Sequence, residues 1–293
     1  MIVDLATPRF LSPDEVLAGL PAETLCGLQE LNVDQRDAVI QVLCAQDYSL
    51  IIGMPGTGKT TVIAHLVSAI VSLGQTVLIS AYTHSALDNI LLKLREMGVP
   101  LLRLGGAQGR VHPKLQADCI DNLVEQATDT RDLARLLSDR RVVATSSLSL
   151  GHVLLSKRTF DVCIIDEAGQ VTEPVCIGPM RFADRFVLVG DHYQLPPLVT
   201  EPRAAELGMN ISLFSRLCQA HPHAVSQLRL QYRMNADIMS LSNELIYGNQ
   251  LRCGSEMVAK SSLDVPWLGQ LPALFLEAEA PHPAKWARAS EWA

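Results

Sequence analysis

The chain has 293 residues, of which 48% are hydrophobic and 19% are charged; this composition is that of an ordinary globular protein with room for one large or two modest domains. Its formal net charge is −7, so no overall positive field attracts nucleic acid, although local loops can still bind a strand. No apolar run reaches the roughly 18 residues of a membrane span, and the first eight residues have neither the basic nor the apolar region of a secretory signal.

The chain contains seven cysteines, and no two of them are at the C-x2-C spacing of a metal site. An odd number without a pairing pattern predicts reduced thiols in an intracellular protein. The sequence therefore predicts neither a zinc site nor an iron–sulfur cluster.

Residues 1–31 predict a helical lead-in, and a longer helix opens at Asn32 with Asp34 as its candidate cap. Gln35 lies near the start of this helix. Its amide can both donate and accept hydrogen bonds, which suits the edge of an adenine. A glutamine at a helix start is usually only solvated, but its position shortly before the next motif favours a binding role.

Residues 49–61 predict a buried strand, a glycine-rich turn and a helix, and they contain the P-loop pattern Gly53-x4-Gly58-Lys59-Thr60. Backbone N–H groups of such a loop surround phosphate oxygens, and the helix N-terminus adds a partial positive charge. Lys59 is expected to reach the β- and γ-phosphates and the Thr60 hydroxyl to ligate Mg²⁺. The flanking strand and helix disfavour the alternative of a glycine-rich surface turn. The other residues of the predicted nucleotide-binding loop are Pro55, Gly56, Thr57 and Thr61.

Further strands are predicted at residues 76–80, 100–104 and 141–147, with a polar loop at 81–89 and mostly helical residues at 107–140. Residues 160–166 then form an apolar run that ends in Asp166 and Glu167, as expected of a Walker B strand. Asp166 would hold Mg²⁺ through water, and Glu167 would act as the general base for the attacking water. A last strand, at 185–190, precedes Gln194, which is placed to sense the γ-phosphate.

Five or six apolar strands that alternate with helices predict an α/β fold, a parallel sheet with helices on both faces. The polar motifs follow strand C-termini, where ligands bind in such sheets. The first domain is predicted at 32–219 and the start of a second at 220–260, with residues 261–293 as an irregular tail. The second unit includes a helix with inward-facing Ile238, Met239, Leu241 and Leu245.

The motifs at Gln35, 53–60, 80–89, 166–170, 190–197 and 231–234 resemble, in order, those of superfamily 1 helicases. The Gln-Tyr-Arg-Met sequence at 231–234 is similar to that of the 5′→3′ branch, which includes RNA helicases of nonsense-mediated decay. Residues 52–61, 82–94, 186–192 and 232–243 more closely resemble the eukaryotic replication nuclease–helicases that process Okazaki-fragment flaps. The resemblance covers residues 30–255 and implies a complete first RecA-like lobe of a P-loop NTPase and the truncated start of a second.

The resemblance implies roles for individual residues. Gln35 would read adenine and Tyr232 would stack on it, while Gln194 would couple the γ-phosphate to the DNA groove and Arg233 would reach that phosphate from the second lobe. The residues that would hold and hydrolyse Mg-ATP are Lys59, Thr60, Asp166 and Glu167. The residues that would contact the backbone of a single strand, independently of base sequence, are Thr83, His84 and Thr145.

The resemblance implies an ATP-dependent 5′→3′ DNA helicase motor of replication and repair. Its implied partners are single-stranded or flap DNA and replication proteins. Its implied location is the nucleus, with the mitochondrion as a second location. Two alternatives stay open: a nucleotide- and strand-binding module without turnover, and an RNA helicase of the same branch. The chain departs from the family at Gly169, where a serine is usual, and at Tyr193, where a polar residue is usual. The later motifs and the nuclease domain are missing, which predicts a fragment, a truncated gene model or a degenerate copy. We expect such a chain to bind nucleotide but not to unwind DNA, because Arg233 would lack a rigid support.

Overall fold

A computed structural model describes residues 5–105, 111–261, 263–265 and 269–271. Its α-helices are α1 (Pro13–Ala18), α2 (Ala22–Gln29), α3 (Val33–Cys44), α4 (Lys59–Ser72), α5 (His84–Glu96), α6 (Ile120–Gln126), α7 (Thr130–Ser138), α8 (Glu173–Met180), α9 (Pro202–Glu206), α10 (Leu213–Ala220), α11 (Ala236–Ser242) and α12 (Glu256–Ala259). Its strands are β1 (Tyr48–Gly53), β2 (Val77–Ala81), β3 (Leu101–Arg103), β4 (Val142–Ser146), β5 (Phe160–Asp166), β6 (Ala183–Gly190), β7 (Val225–Leu228), β8 (Leu230–Gln231), β9 (Arg252–Cys253), β10 (Leu263–Val265) and β11 (Gly269–Leu271). A π-helical turn, Asn243–Tyr247, continues α11.

Seven strands form one parallel sheet in the order β3-β4-β2-β5-β6-β1-β7. The predicted parallel sheet is therefore confirmed, with one strand more than the sequence indicated. Ala81 at the end of β2 pairs with Asp166 at the end of β5, so the loops that follow these strands leave from the same edge. This edge carries the predicted motifs.

The sheet has a hydrophobic core on each face. Ile51 of β1 belongs to one core together with residues of α3, α4 and α5, whereas Leu50 and Ile52 belong to the other core together with residues of α8 and α10. Successive side chains of a strand point to opposite faces, and both faces are covered. This is why the strands read as continuous apolar runs rather than as alternating patterns.

The predicted domain boundary at residue 220 falls before β7, and β7 is an edge strand of the main sheet, with Leu50 opposite Val225. These residues thus extend the first sheet rather than begin a separate one. The division of the remaining residues into a second lobe stays a prediction.

Helix α11 does not bury the face that the sequence indicated. Ile238, Leu241 and Leu245 are 47%, 49% and 73% exposed, and Met239 packs only partly against the core. The inward-facing arrangement is therefore not seen at these three positions, and the contact of α11 with strand β9 is made by Met239, whose Sδ lies 3.6 Å from Cys253 Sγ.

Within the predicted tail, the structure describes an antiparallel pair, β10 and β11, and the rest of residues 262–293 lies outside the described residues. No helix in the described part of the chain is long and apolar enough to span a membrane. All seven cysteine thiols are free, as the sequence predicted.

Candidate active site

The P-loop connects β1 to α4 at the carboxyl edge of the sheet. Thr57 is buried, and its hydroxyl donates a hydrogen bond of 2.7 Å to the Met54 carbonyl, which closes the loop. The Lys59 ammonium lies 3.2 Å from the Gly53 carbonyl oxygen and 3.3 Å from Glu167 Oε1. The lysine is therefore held over the loop, in an ion pair with the predicted general base.

Gly56 is the point at which the segment after β7 touches the P-loop. Its φ is +74°, and a Cβ built on it would lie 2.6 Å from Arg233 Cβ, so a side chain here would push the arginine away. The Tyr232 N–H donates to the Gly56 carbonyl at 2.9 Å. Arg233 is thus placed directly beside the loop.

The backbone around Arg233 is fixed by a buried glutamine. Gln231 Oε1 accepts hydrogen bonds from the N–H groups of Arg233 and Met234 at 2.8 and 2.7 Å. Gln231 Nε2 donates to the Met234 carbonyl at 2.6 Å, and β8, which carries Gln231, pairs with β9. The expectation that Arg233 lacks a rigid support is therefore wrong, because a two-stranded ladder and the P-loop hold its backbone.

Asp166 and Glu167 end β5 next to the loop. Burial, and then the negative charge of Glu167, raise the pKa of Asp166 to about 7, although Lys59 and the Glu167 N–H act in the opposite direction. Its Oδ1 atom is buried and has no hydrogen-bond partner among the described residues. Glu167 has a φ of +53°, an unusual conformation for a non-glycine residue, and residues of this kind cluster at functional sites.

Gln194 is held by the buried carboxylate of Asp191, which is not among the predicted site residues. Asp191 Oδ2 accepts hydrogen bonds from Gln194 Nε2 at 2.9 Å and from the Tyr247 hydroxyl at 3.0 Å. Asp191 Oδ1 accepts from the Tyr193 N–H at 3.0 Å. No local sequence signal points to Tyr247, since it is 56 residues from Asp191.

These groups surround one cavity of about 350 Å³. All five predicted catalytic residues line it, and so do most of the predicted loop. The predicted residues that line the cavity are Pro55, Gly56, Thr57, Gly58, Lys59, Thr60, Asp166, Glu167, Gln194 and Arg233. Three further lining residues are not among the predicted ones: Met54, and Ala86 and Asn89 of α5. The polar loop at the N-terminus of α5 is the sequence signal that points to the last two. Gly53 and Thr61 flank the lining.

The two predicted adenine-binding residues lie close together beside the P-loop. Asn32 Nδ2 donates to the Tyr232 hydroxyl at 3.0 Å, and Asn32 Oδ1 accepts from the Gln35 N–H at 2.9 Å. Gln35 Oε1 accepts from the Asn32 N–H, and its Nε2 donates to the Thr57 carbonyl at 2.9 Å. Asn32 rather than Asp34 therefore caps α3; the Asp34 carboxylate instead accepts from the Arg229 N–H.

The three residues predicted to contact a DNA strand differ in how far they are exposed. Thr83 caps α5 and is exposed, and half-buried His84 receives a contact of 3.2 Å at Nδ1 from the buried Arg103 guanidinium, which also pairs with Asp88 at 2.8 Å. Thr145 is fully buried, and its hydroxyl donates to the Ser149 carbonyl at 3.2 Å. The prediction that Thr145 contacts the backbone of a single-stranded nucleic acid is therefore wrong, because its side chain does not reach the surface.

The departure at Gly169 has a structural reason. A Cβ at this position would lie 2.7 Å from the carbonyl oxygen of Asp191, closer than real Cβ atoms approach backbone atoms. The loop after β5 and the loop after β6 thus touch through main-chain atoms, and in this chain a side chain at 169 would separate them.

A seven-stranded parallel sheet with a P-loop after β1 and an acidic pair after β5 defines a P-loop NTPase of the RecA-like class. Two family models, both described as an AAA domain, match this chain, the first over residues 30–141 and 125–202 and the second over 209–288. The chain belongs to this AAA-domain family of superfamily 1 helicases.

Similar curated proteins include nuclease–helicases. DNA replication ATP-dependent helicase/nuclease JHS1 of Arabidopsis thaliana is 48% identical over 280 residues, which cover 92% of this chain and 20% of that protein. The corresponding DNA2 proteins are 46% identical over 270 residues in Homo sapiens (90% of this chain, 25% of that protein) and 47% identical over 271 residues in Saccharomyces cerevisiae (91% and 17%). The chain therefore spans a quarter or less of the length of these relatives.

Among solved structures, an Arterivirus nonstructural protein 10 (helicase) matches 78% of this chain and 45% of its own, with 15% identity and a TM-score of 0.46. A structure of two coordinating Pif1 helicases at forked double-stranded DNA matches 76% and 49%, with 18% identity and a TM-score of 0.41. Both similarities are much weaker than those to the curated relatives.

Proposed function

We propose that this chain is the ATPase motor of a DNA helicase that moves 5′→3′ on single-stranded DNA, within a longer replication and repair nuclease–helicase. The observation that carries the proposal is the convergence on one cavity of Lys59, Asp166, Glu167, Gln194 and Arg233. These are two cations, two carboxylates and an amide around a loop of backbone N–H groups. Such a set suits a triphosphate and its hydrolysis.

Binding would begin at the P-loop. The N–H groups at the start of α4 and the Lys59 ammonium would neutralise the phosphate oxygens, while Gln35 and Tyr232 would face the adenine. In the structure Lys59 is paired with Glu167, so binding of the triphosphate would exchange one anionic partner of the lysine for another. That exchange would free Glu167 for a water molecule.

The residues present fit a magnesium ion. Asp166 Oδ1 is buried without a hydrogen-bond partner among the described residues, and the Thr60 hydroxyl lines the same cavity. Thr60 directly, and Asp166 through water, would hold Mg²⁺, which when bound would neutralise charge on the phosphates. Glu167 would accept a proton from the attacking water while the oxygen of that water bonds to the γ-phosphorus. The bond between the γ-phosphorus and the oxygen that it shares with the β-phosphate would break, which yields ADP and phosphate.

Helix α5 connects the cavity to the residues that we propose contact single-stranded DNA. Ala86 and Asn89 of its first two turns line the cavity, while Thr83 and His84 at its start are the remaining candidates for contact with the strand backbone. A shift of α5 in response to the phosphates would therefore move both groups. Contacts of this kind suit a motor that is indifferent to base sequence.

The proposed substrate is single-stranded or flap DNA, because the similar proteins are named as DNA replication helicase/nucleases. Those names favour DNA over RNA for this chain as well. Replication proteins as partners and a nuclear location, with the mitochondrion as a second location, belong to the same proposal.

The test uses purified residues 1–293. We expect saturable binding of Mg-nucleotide, with ATP hydrolysis stimulated by an unstructured DNA oligonucleotide. We expect no separation of a 5′-tailed duplex, because translocation needs two lobes that hold the DNA strand in turn and residues 220–260 are predicted to be only the start of the second lobe. Hydrolysis that the oligonucleotide does not change would favour a module without strand coupling. ATP-dependent strand separation would show that the described part of the second unit suffices for unwinding.

A further inference from the structure

The carboxylate of Asp191 links the predicted γ-phosphate sensor to a tyrosine that has no assigned role. Asp191 is buried, and its Oδ2 atom is shared by Gln194 Nε2 at 2.9 Å and the Tyr247 hydroxyl at 3.0 Å. Burial and the charge of Asp191 raise the pKa of Tyr247, so the hydroxyl keeps its proton and donates. Both partners of this oxygen are thus donors.

The position of Tyr247 is itself fixed by its surroundings. It ends a π-helical turn, a geometry often found at functional sites, and its ring belongs to the same core as Leu251. Asn243 at the start of this turn binds Leu251 twice, through Nδ2 to the carbonyl at 3.0 Å and through Oδ1 to the N–H at 2.9 Å. The hydroxyl is therefore presented to Asp191 from a closed and packed loop.

We propose that Tyr247 is a positioning residue for Gln194, because its hydroxyl holds the Asp191 carboxylate in the orientation in which that carboxylate fixes the Gln194 amide at the cavity. Without the hydroxyl, the buried Oδ2 atom would lose one of its two donors. The carboxylate could then turn to recover a partner, and the amide that it holds would turn with it. The inference rests on the proposed function, since it assumes that Gln194 acts on the γ-phosphate.

The consequence is that one segment serves two groups at the cavity. Residues 231–251 carry Arg233, which lines the cavity directly, and Tyr247, which acts on Gln194 through Asp191 and through a direct side-chain contact. The ring of Tyr193, next to Gln194, also meets the ring of Tyr247 edge-on at 5.9 Å. A displacement of this segment would change the positions of both Arg233 and the Gln194 amide.

The experiment is a comparison of affinities for AMP-PNP and ADP, with Mg²⁺, in residues 1–293 and in the Tyr247→Phe variant. The ratio of the two affinities reports contacts with the γ-phosphate alone. We expect Tyr247→Phe to lower this ratio by about threefold to tenfold, the range expected for one hydrogen bond, with the ADP affinity unchanged. Gln194→Ala should lower the ratio at least as much, and adding Tyr247→Phe to Gln194→Ala should have no further effect.

A matched control is Tyr48→Phe, because Tyr48 is also buried and its hydroxyl donates to the Ala6 carbonyl at 2.9 Å, at the other end of β1 from the P-loop. Both variants lose one buried tyrosine hydroxyl, so the melting temperature should fall by a similar amount in each. Only Tyr247→Phe should change the ratio of the AMP-PNP and ADP affinities. A ratio that Tyr247→Phe leaves unchanged, or an effect fully additive with Gln194→Ala, would overturn the inference and leave the proposed function standing. Equal affinity of the unaltered chain for both nucleotides would overturn the sensor role of Gln194 and the inference together.

Discussion

The ion pair between Lys59 and Glu167 makes a specific prediction for the variant Glu167→Gln. The two charges are 3.3 Å apart, with side chains 16% and 28% exposed, so the pair is partly screened and contributes about 0.5–1 kcal/mol. A bound triphosphate must replace this pair. Removing the glutamate charge should therefore tighten binding of Mg-AMP-PNP about twofold to fivefold at low salt, while hydrolysis falls roughly 100-fold or more because the base is lost.

Two assays separate these effects: a binding titration with AMP-PNP and a phosphate-release assay with ATP, both on residues 1–293. The matched control is Glu173→Gln, which removes a comparably exposed pair with Arg216 at 2.5 Å outside the lining of the cavity. This control should change neither quantity. Weaker nucleotide binding by Glu167→Gln would refute the competition between glutamate and phosphate, and undiminished hydrolysis would refute the assignment of the base.

Three further predictions follow from the same site. Lys59→Ala should weaken AMP-PNP binding far more than adenosine binding, because Lys59 is placed to contact only phosphate; equal losses in a titration would contradict this. The pKa of Asp166 is raised to about 7, so ionising this residue costs folding free energy. Below pH 4 Asp166 is neutral in both the folded and the unfolded chain, and this cost is absent from the ligand-free protein. As the pH rises towards 7, the free energy of unfolding should fall by up to about 1.4 kcal/mol per pH unit on account of Asp166. Chemical denaturation of Asp166→Asn should lack this part of the pH dependence, and an identical profile would refute the raised pKa. Gly169→Ala should cost about 1–3 kcal/mol of stability, since its Cβ would meet the Asp191 carbonyl, whereas Gly151→Ala, where the space is open, should be nearly neutral in the same denaturation experiment.

The fold and the phosphate site were largely predictable from the sequence because their signals are local. A buried strand before Gly53 and a helix after Lys59 give the P-loop its geometry, and Asp166 ends a short apolar run whose position downstream of the P-loop indicates a buried strand. Strand β7 is only four residues long, and no local pattern indicates which strand it pairs with, so the sequence alone does not place it in the first sheet. Pairing in a sheet is decided by packing between distant segments.

The wrong and missing predictions of individual residues also arise from contacts that a local pattern does not show. Thr145 belongs to a strand that is buried on both faces, and a strand pattern does not show how deep each hydroxyl lies. Asn32 rather than the predicted Asp34 caps α3, because Asn32 lies three positions before Gln35 in a capping box. Tyr247 could not be found, because its role depends on a contact with Asp191 that only the folded chain creates.

The most direct test of the central claim, that this chain contains a complete ATP-binding site, is a crystal structure of residues 1–293 with Mg²⁺ and AMP-PNP. We predict the β- and γ-phosphates on the P-loop beside Lys59, the metal ion near Thr60 and Asp166, and the adenine between Gln35 and Tyr232. A folded chain that binds the nucleotide elsewhere, or that shows the Lys59–Glu167 pair unbroken at saturating nucleotide, would contradict the claim.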